Sequence, residues 1–168
     1  MVQRTGDYVR DSYAEAGSGR GDALSVGRLW SQPGPAAVGA ADTFRPERRE
    51  VEPLTRRELE TRGHEDADAL LLRAGVDPRS GDGFYRLEQG TTYVVSFAES
   101  PTVPSGGVGL VRPSENLRNA GIALDAGLVQ PGQTDVEATL HVVDQFGVVA
   151  EGAPIAELVV VPTAKVSR

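Results

Sequence analysis

Residues 84–99 read FYRLEQGTTYVVSFAE, and this stretch decides the fold class. It contains two short runs rich in aromatic and β-branched residues, Phe84–Leu87 and Tyr93–Glu99, with Gly90 between them. Such residues fit the pleated, half-buried surface of a sheet, and glycine marks turns. The stretch therefore predicts two consecutive strands.

The same pattern continues towards the C-terminus. Four further runs are bounded by Gly, Pro, Asp or Ser and predict strands at Val108–Val111, Ala120–Leu124, Val136–Val143 and Ile155–Val161. Several short strands at regular spacing, with no helix between them, are typical of a sandwich or barrel. We expect an all-β fold with a distorted β-barrel or jelly-roll-like core at residues 84–161.

The N-terminal half adds a polar arm and one strand. Residues 1–20 form the arm, Ala23–Trp30 alternates as a strand does, and Gln32–Pro35 ends that strand. The chain has 168 residues, which suits one domain because domains contain about 150 residues. We therefore expect a single folding unit over residues 1–168.

A charged segment at residues 45–75 interrupts the strand pattern. Thr55 followed by Glu58 fits a helix capping box, and Gly75 fits the end of a helix. The segment predicts one or two short helices inserted between strands. His64 lies among acidic residues in this segment, but a run of charged residues favours a solvated surface, so we expect no metal site.

The composition excludes several classes of function. There are no cysteines, which excludes disulfides, thiolate catalysis and a His/Cys/Cys zinc site. The net charge of −7 disfavours binding to nucleic acids or anionic membranes, because phosphate contacts need clustered positive charge. No run approaches the ~20 apolar residues of a membrane span, and the N-terminus lacks the apolar run of a signal peptide. We expect a soluble, cytoplasmic protein.

The order of several short motifs resembles the β-barrel core of the dUTPase and dCTP deaminase superfamily. The segment EGAPIAELVV at 151–160 is similar to that family's final glycine and Ile-Ala-Gln-Leu strand. The other matching segments lie, in order, at Tyr85–Glu99, Val103–Pro104, Val108–Gly109, Leu117–Ile122 and Ala126–Gly132. Such an ordered set is more specific than one short motif.

The resemblance has implications for assembly and ligands. It implies a homotrimer whose sites, where they exist, are built at subunit interfaces. It also implies a deoxypyrimidine triphosphate or a related small molecule as ligand. Magnesium would arrive with the triphosphate, and we expect no cofactor bound by the protein itself.

The phosphate-binding motif of the family is changed in this chain. In the family, an arginine followed by two serines grips the phosphates, and in the deaminases the first serine is catalytic. An alignment without gaps puts Ser114, Glu115 and Asn116 at these positions. Glu115 would repel a triphosphate at short range. A shift of one residue instead matches Ser114 to the first serine and Arg118 to the arginine that follows; we favour the ungapped alignment because it keeps the flanking residues in place.

The position of the general base is also changed. Gln130 stands where the hydrolysing members hold an aspartate that activates water. An amide has no protonation equilibrium near neutral pH and cannot act as a general base. Gln133 stands where an aromatic residue usually follows, and Asp125 or Asp135 would replace the carboxylate only if the turn were rearranged.

The last two family positions carry different residues as well. The glutamate of the deaminases aligns with His141 or Leu140, depending on a one-residue insertion, and the closing glutamine is Glu157. Glu137 points the same way as His141 on a strand, but about 13 Å away, which is too far for both to act on one atom.

Two functions remain open after these substitutions. One is an enzyme of deoxypyrimidine nucleotide metabolism, of the dCTP deaminase or dUTP diphosphatase type, with weak or lost catalysis. The other is a non-catalytic trimeric binding or structural protein. The substitutions favour the second, because loss of a general base typically costs ~10²–10⁴ in rate. In the first, the catalytic positions are Ser114, Gln130 and His141, and the substrate-binding positions are Arg118, Glu115, Asn116, Gln133 and Glu157.

Overall fold

A computed structural model describes residues 21–33, 37–39, 41, 43–44, 47–55, 57–58, 83–143 and 146–163. These residues form mostly β-strands, which confirms the expected all-β class. The strands are β1 (Asp22–Gln32), β2 (Ala37–Val38), β3 (Thr43–Phe44), β4 (Arg49–Glu50), β5 (Phe84–Glu88), β6 (Thr92–Phe97), β7 (Gly107–Pro113), β8 (Ile122–Asp125), β9 (Leu128–Val129), β10 (Glu137–Val142), β11 (Phe146–Ala150) and β12 (Pro154–Pro162). A short helix, α1 (Glu115–Asn119), lies between β7 and β8.

The main sheet curls into a half-barrel. Its strand order is β8-β10-β6-β1-β12-β7-β9, and β4 also pairs with β1. Although β8 and β9 lie at opposite ends of this order, only Ala126 and Gly127 separate them along the chain. Three Cα–Cα steps span at most about 11 Å, whereas seven strands laid flat would put the outer two about 29 Å apart. The short link therefore requires the sheet to curl until its two ends meet, and β8 does contact β7.

The core fills the inside of this curled sheet. Its side chains are almost all aliphatic, and none of the buried residues in the described part of the chain is polar or charged. Aliphatic burial of this kind is the main favourable term in folding. The largest fully buried members are Leu24, Leu29, Leu87, Ile122, Leu140, Leu158, Val95 and Val129.

Strand β1 bends where it changes partner. Its first residues pair with β12 and its last with β6, and the register shifts between Leu24 and Ser25 and again between Val26 and Leu29. The irregularity frees backbone donors from the regular ladder, and β6 and its following loop satisfy two of them. The N–H of Ser25 donates to Oε2 of Glu99 at 2.7 Å, and the N–H of Arg28 donates to Oγ of Ser96 at 3.0 Å.

Glu99 links stability to pH through this contact. Burial raises the pKa of the Glu99 carboxyl, but hydrogen bonds from the backbone N–H groups of Ser25 and Glu99 and from the Ser25 side chain outweigh burial, so the pKa lies below its ordinary value. A carboxyl whose pKa is lowered by folding stabilises the folded state above its unfolded pKa of about 4.3. That contribution is lost as the pH falls through the folded pKa.

We therefore expect Glu99→Ala to lower the free energy of unfolding near neutral pH by about 1 kcal/mol, the net worth of one hydrogen bond. The variant should also lose less stability than the unmodified protein between about pH 7 and about pH 3, because it lacks this group. Urea unfolding at both pH values measures the effect. Glu52→Ala, which removes an exposed carboxylate, is the control. If the free energy of unfolding depended equally on pH in Glu99→Ala and Glu52→Ala, Glu99 would not be the source of the pH-dependent stability.

The structure confirms the strands expected from the sequence, including the one at 23–30 and its end near Pro33. Strands β2, β3, β4, β9 and β11 were not predicted. The expectation of no helix beyond residue 84 was wrong: α1 forms because Ser114 caps it and Leu117 is buried beneath it.

The expected helical insertion at 45–75 needs one correction. Its first part is not helical, since Arg49–Glu50 pairs with β1 and Leu54 bridges to Phe84. The capping box is confirmed: the N–H of Glu58 donates to Oγ1 of Thr55 at 3.3 Å, and the N–H of Thr55 donates to Oε2 of Glu58 at 2.7 Å. The arm at 1–20, His64 and the helix end at Gly75 lie outside the described residues.

Candidate functional site

Ser114 begins α1. Its Oγ accepts the N–H of Leu117 at 3.1 Å, and its own N–H donates to the carbonyl of Ile155 in β12 at 2.8 Å. This is the geometry of a helix N-cap, in which a side-chain oxygen accepts from an otherwise unpaired backbone donor. Ser114 is therefore held by both the helix and the final strand. The neighbouring candidates Glu115, Asn116 and Arg118 are all exposed on the helix.

Gln130 and Gln133 form the two ends of a tight turn after β9. The N–H of Gln133 donates to the carbonyl of Gln130 at 3.1 Å, and the N–H of Gln130 donates to Oε1 of Gln133 at 3.1 Å. Gly132 has a φ of 77°, the left-handed conformation that a type II turn needs after proline. The Nε2 of Gln133 also donates to the carbonyl of Asp135 at 3.4 Å. The side-chain amide of Gln133 thus closes the turn.

The two motifs lie far apart within one chain. Val129 pairs with Gly109 near one end of β7, whereas Ser114 follows the other end of that strand. Five residues at ~3.3 Å each separate these positions by about 16 Å. The structure therefore does not bring Ser114 and Gln130 together within the chain.

His141 is exposed on the outer face of β10, opposite Thr92 of β6 and Ala123 of β8. Leu140, the alternative in the alignment, is 1% exposed and belongs to the core. Of the two, only His141 can therefore meet a ligand. Glu137 lies on the same face as His141, but both of its carboxylate oxygens accept from Arg48, at 3.0 and 2.9 Å.

Glu157 faces Arg112 across the pair of strands β12 and β7. The Nε and Nη2 groups of Arg112 donate to Oε2 of Glu157 at 3.0 and 2.8 Å. Arg112 was missed by the sequence reasoning, although it lies two residues before Ser114. The period-two alternation of β7 was the available signal, because Val111 is buried and its neighbour Arg112 is exposed.

The structure therefore brings Arg112, Ser114 and Glu157 together where β7 meets α1. Glu157 neutralises the one arginine that points outward from this part of β7, which weakens the attraction of the junction for a phosphate group. Within the described residues, no three His, Asp or Glu side chains converge on a point where they could hold a metal ion. No helix in the same ranges is long and apolar enough to span a membrane.

No protein-family model matches this chain, and a search of curated proteins finds no match either. The resemblance to the dUTPase and dCTP deaminase superfamily rests on the ordered motifs quoted above.

Proposed function

We propose that this chain is a non-catalytic relative of the dUTPase and dCTP deaminase superfamily, a trimeric barrel that binds a deoxypyrimidine nucleotide or a related small molecule without converting it. The observation that carries the proposal is the turn at Gln130–Gln133. At the place of the family's water-activating aspartate, Gln130 lies in a turn closed by two hydrogen bonds: the Gln133 N–H donates to the Gln130 carbonyl, and the backbone N–H of Gln130 donates to Oε1 of Gln133.

The other motif positions support the same conclusion. The Ser114 hydroxyl accepts a hydrogen bond from the N–H of Leu117 as a helix cap, so one of its two lone pairs is engaged in holding α1. His141 stands where the deaminases have a glutamate, and the carboxylate on the same face of its own strand, that of Glu137, is paired with Arg48. A reaction that needs a carboxylate base finds none at these positions.

An exposed apolar patch supports the trimer. Leu110 and Leu128 face each other across β7 and β9 and are 40% and 56% exposed, and Val161 lies on the same face of β12 at 40%. Contiguous exposed apolar side chains mark interaction surfaces. Gln130 directly follows β9, so a subunit interface on this patch would lie beside the Gln130–Gln133 turn.

Purified protein is expected to convert dCTP and dUTP, each with magnesium, at less than ~0.1 per second, whereas a median enzyme turns over at ~10 per second. The missing general base is the reason. Chromatographic detection of dUTP, dUMP and pyrophosphate measures both reactions, and sedimentation of the same preparation gives the subunit number. Faster conversion of either nucleotide would overturn the proposal.

Binding is tested by thermal shift with the same nucleotides. A ligand at 100 times its dissociation constant adds ~2.7 kcal/mol of stability. Arg118→Ala should reduce the shift if α1 contacts phosphate, whereas Arg49→Ala, an exposed arginine on β4, should not. No shift with any deoxynucleotide would contradict the binding role and leave a structural one.

A further inference from the structure

Trp30, the only tryptophan of the chain, lies at the centre of a charged cluster on the outer face of the sheet. It pairs with Glu50 of β4 on one side and with Val94 of β6 on the other. The guanidinium carbons of Arg28 and Arg48 lie 5.1 and 5.9 Å from the centre of its ring. Both distances fall within the ~6 Å over which a cation interacts with an aromatic face.

Two ion pairs hold these arginines. Arg28 donates to both oxygens of Glu50 at 2.9 and 2.8 Å, which joins β1 to its neighbour β4. Arg48 donates to both oxygens of Glu137. This second pair spans a greater distance across the sheet than the first. Strands β1 and β6 lie between β4 and β10, so at ~4.8 Å per strand the Arg48–Glu137 pair crosses about 14 Å of sheet.

Arg48 of the crossing pair lies over the Trp30 ring, beside a second apolar side chain. Val94 is only 3% exposed, although its ladder partners Trp30 and Thr139 place it on the outer face rather than in the main core. The long aliphatic part of an arginine covers apolar surface while its charged end stays in water. Trp30 itself is half-buried. Arg48, Glu137 and Trp30 thus form a layer outside the sheet.

The backbone attachment beneath this layer is slight. Strand β4 has two residues, which pair with Trp30 and Ser31, and one further hydrogen bond joins the N–H of Val51 to the carbonyl of Leu29 at 2.9 Å. The side chains of the Arg48–Glu137 pair are 41% and 39% exposed. Exposed ion pairs are individually weak and are screened by salt. The Arg48–Glu137 pair can therefore open at little cost, while the Arg28–Glu50 pair and Val51, which packs against the core, keep β4 in place.

We propose that the Arg48–Glu137 pair is a releasable strap. Closed, it holds the Arg48 side chain over the ring of Trp30; open, it frees that side chain and exposes Trp30 together with its neighbour Val94. The strap does not depend on nucleotide binding, since no residue of the β7–α1 junction or of the Gln130–Gln133 turn takes part in it. It makes the accessibility of one face of the barrel depend on ionic strength.

Fluorescence of Trp30 and its quenching by acrylamide measure the strap in the full chain. Glu137→Gln removes the charge and should shift the emission to longer wavelength and increase quenching. Loss of one exposed ion pair should increase the ratio of open to closed molecules about 1.4- to 5-fold. Glu157→Gln, which breaks the cross-strand pair with Arg112 far from Trp30, is the matched control and should behave as the unmodified protein.

Varying the ionic strength provides a second test of the Arg48–Glu137 pair. Raising the ionic strength from about 0.01 M to about 1 M shortens the Debye length from about 30 Å to about 3 Å. The unmodified protein should then approach the signal of Glu137→Gln, and the variant should change less. Arg48→Gln should reproduce Glu137→Gln, and a cooperative thermal transition shows that each variant is folded. Low-salt spectra of both variants identical to that of the unmodified protein would overturn the proposal.

Discussion

Leu158→Ala is expected to lower the free energy of unfolding by about 2–5 kcal/mol, the usual cost of removing a buried leucine side chain. Leu158 lies on β12 between β1 and β7, opposite Asp22 and Val111, and is 2% exposed. Shortening it opens a cavity on the inner face of β12, an interior strand of the curled sheet. Because a domain is stable by only about 5–15 kcal/mol, this one change removes a large fraction of the total.

Urea unfolding of the variant measures the loss, with Leu158→Met as control. Methionine keeps most of the volume, so that variant should lose less than about 1.5 kcal/mol. If Leu158→Ala were no less stable than Leu158→Met, β12 would not be an interior strand of the sheet. The comparison tests the topology directly, because a side chain at an edge of the sheet would tolerate both changes.

The strands could be predicted because their sequences alternate between apolar residues that are buried and polar residues that are exposed. In β10 the sequence EATLHV places Ala138, Leu140 and Val142 inside and the residues between them outside, as the period of two requires. Strand β11 was missed because Gly147 interrupts its apolar run. The structure uses this glycine for close approach, since a Cβ there would lie 2.9 Å from Cδ1 of Ile122. A glycine that permits packing looks the same in sequence as one that makes a turn.

The candidate site could be predicted less well, for two physical reasons. Helix α1 has five residues, which is too short to show a helical period, so Ser114 was interpreted as a phosphate contact rather than as a cap. The partners of the charged residues are also remote in sequence. Arg48 and Glu137 are 89 residues apart, and a pairing at that separation depends on strand register, which the sequence did not specify.

Gly109→Ala is expected to destabilise the protein by about 1–3 kcal/mol, the cost of adding a methyl group to a filled core. Gly109 is buried on the inner face of β7. An added Cβ would lie 2.7 Å from Cγ2 of Val103, 2.9 Å from Cδ1 of Leu158 and 3.0 Å from Cβ of Val129. The first two are side-chain atoms of neighbouring elements, but the third is fixed to the backbone of β9. The sheet must therefore widen where its ends close.

A double-mutant cycle with Val103→Ala separates this clash from a general loss of strand stability. Val103→Ala removes the nearest clashing atom, so the double variant should be more stable than the sum of the two single changes predicts, by at least about 0.5 kcal/mol. The rescue should be partial, because the contacts with Leu158 and Val129 remain. Strict additivity of the two single changes would contradict the assignment of the loss to this clash. A rescue by Val103→Ala would show that the missing side chain of Gly109 allows β9 to lie close to β7. This packing brings the Gln130–Gln133 turn to the end of the half-barrel.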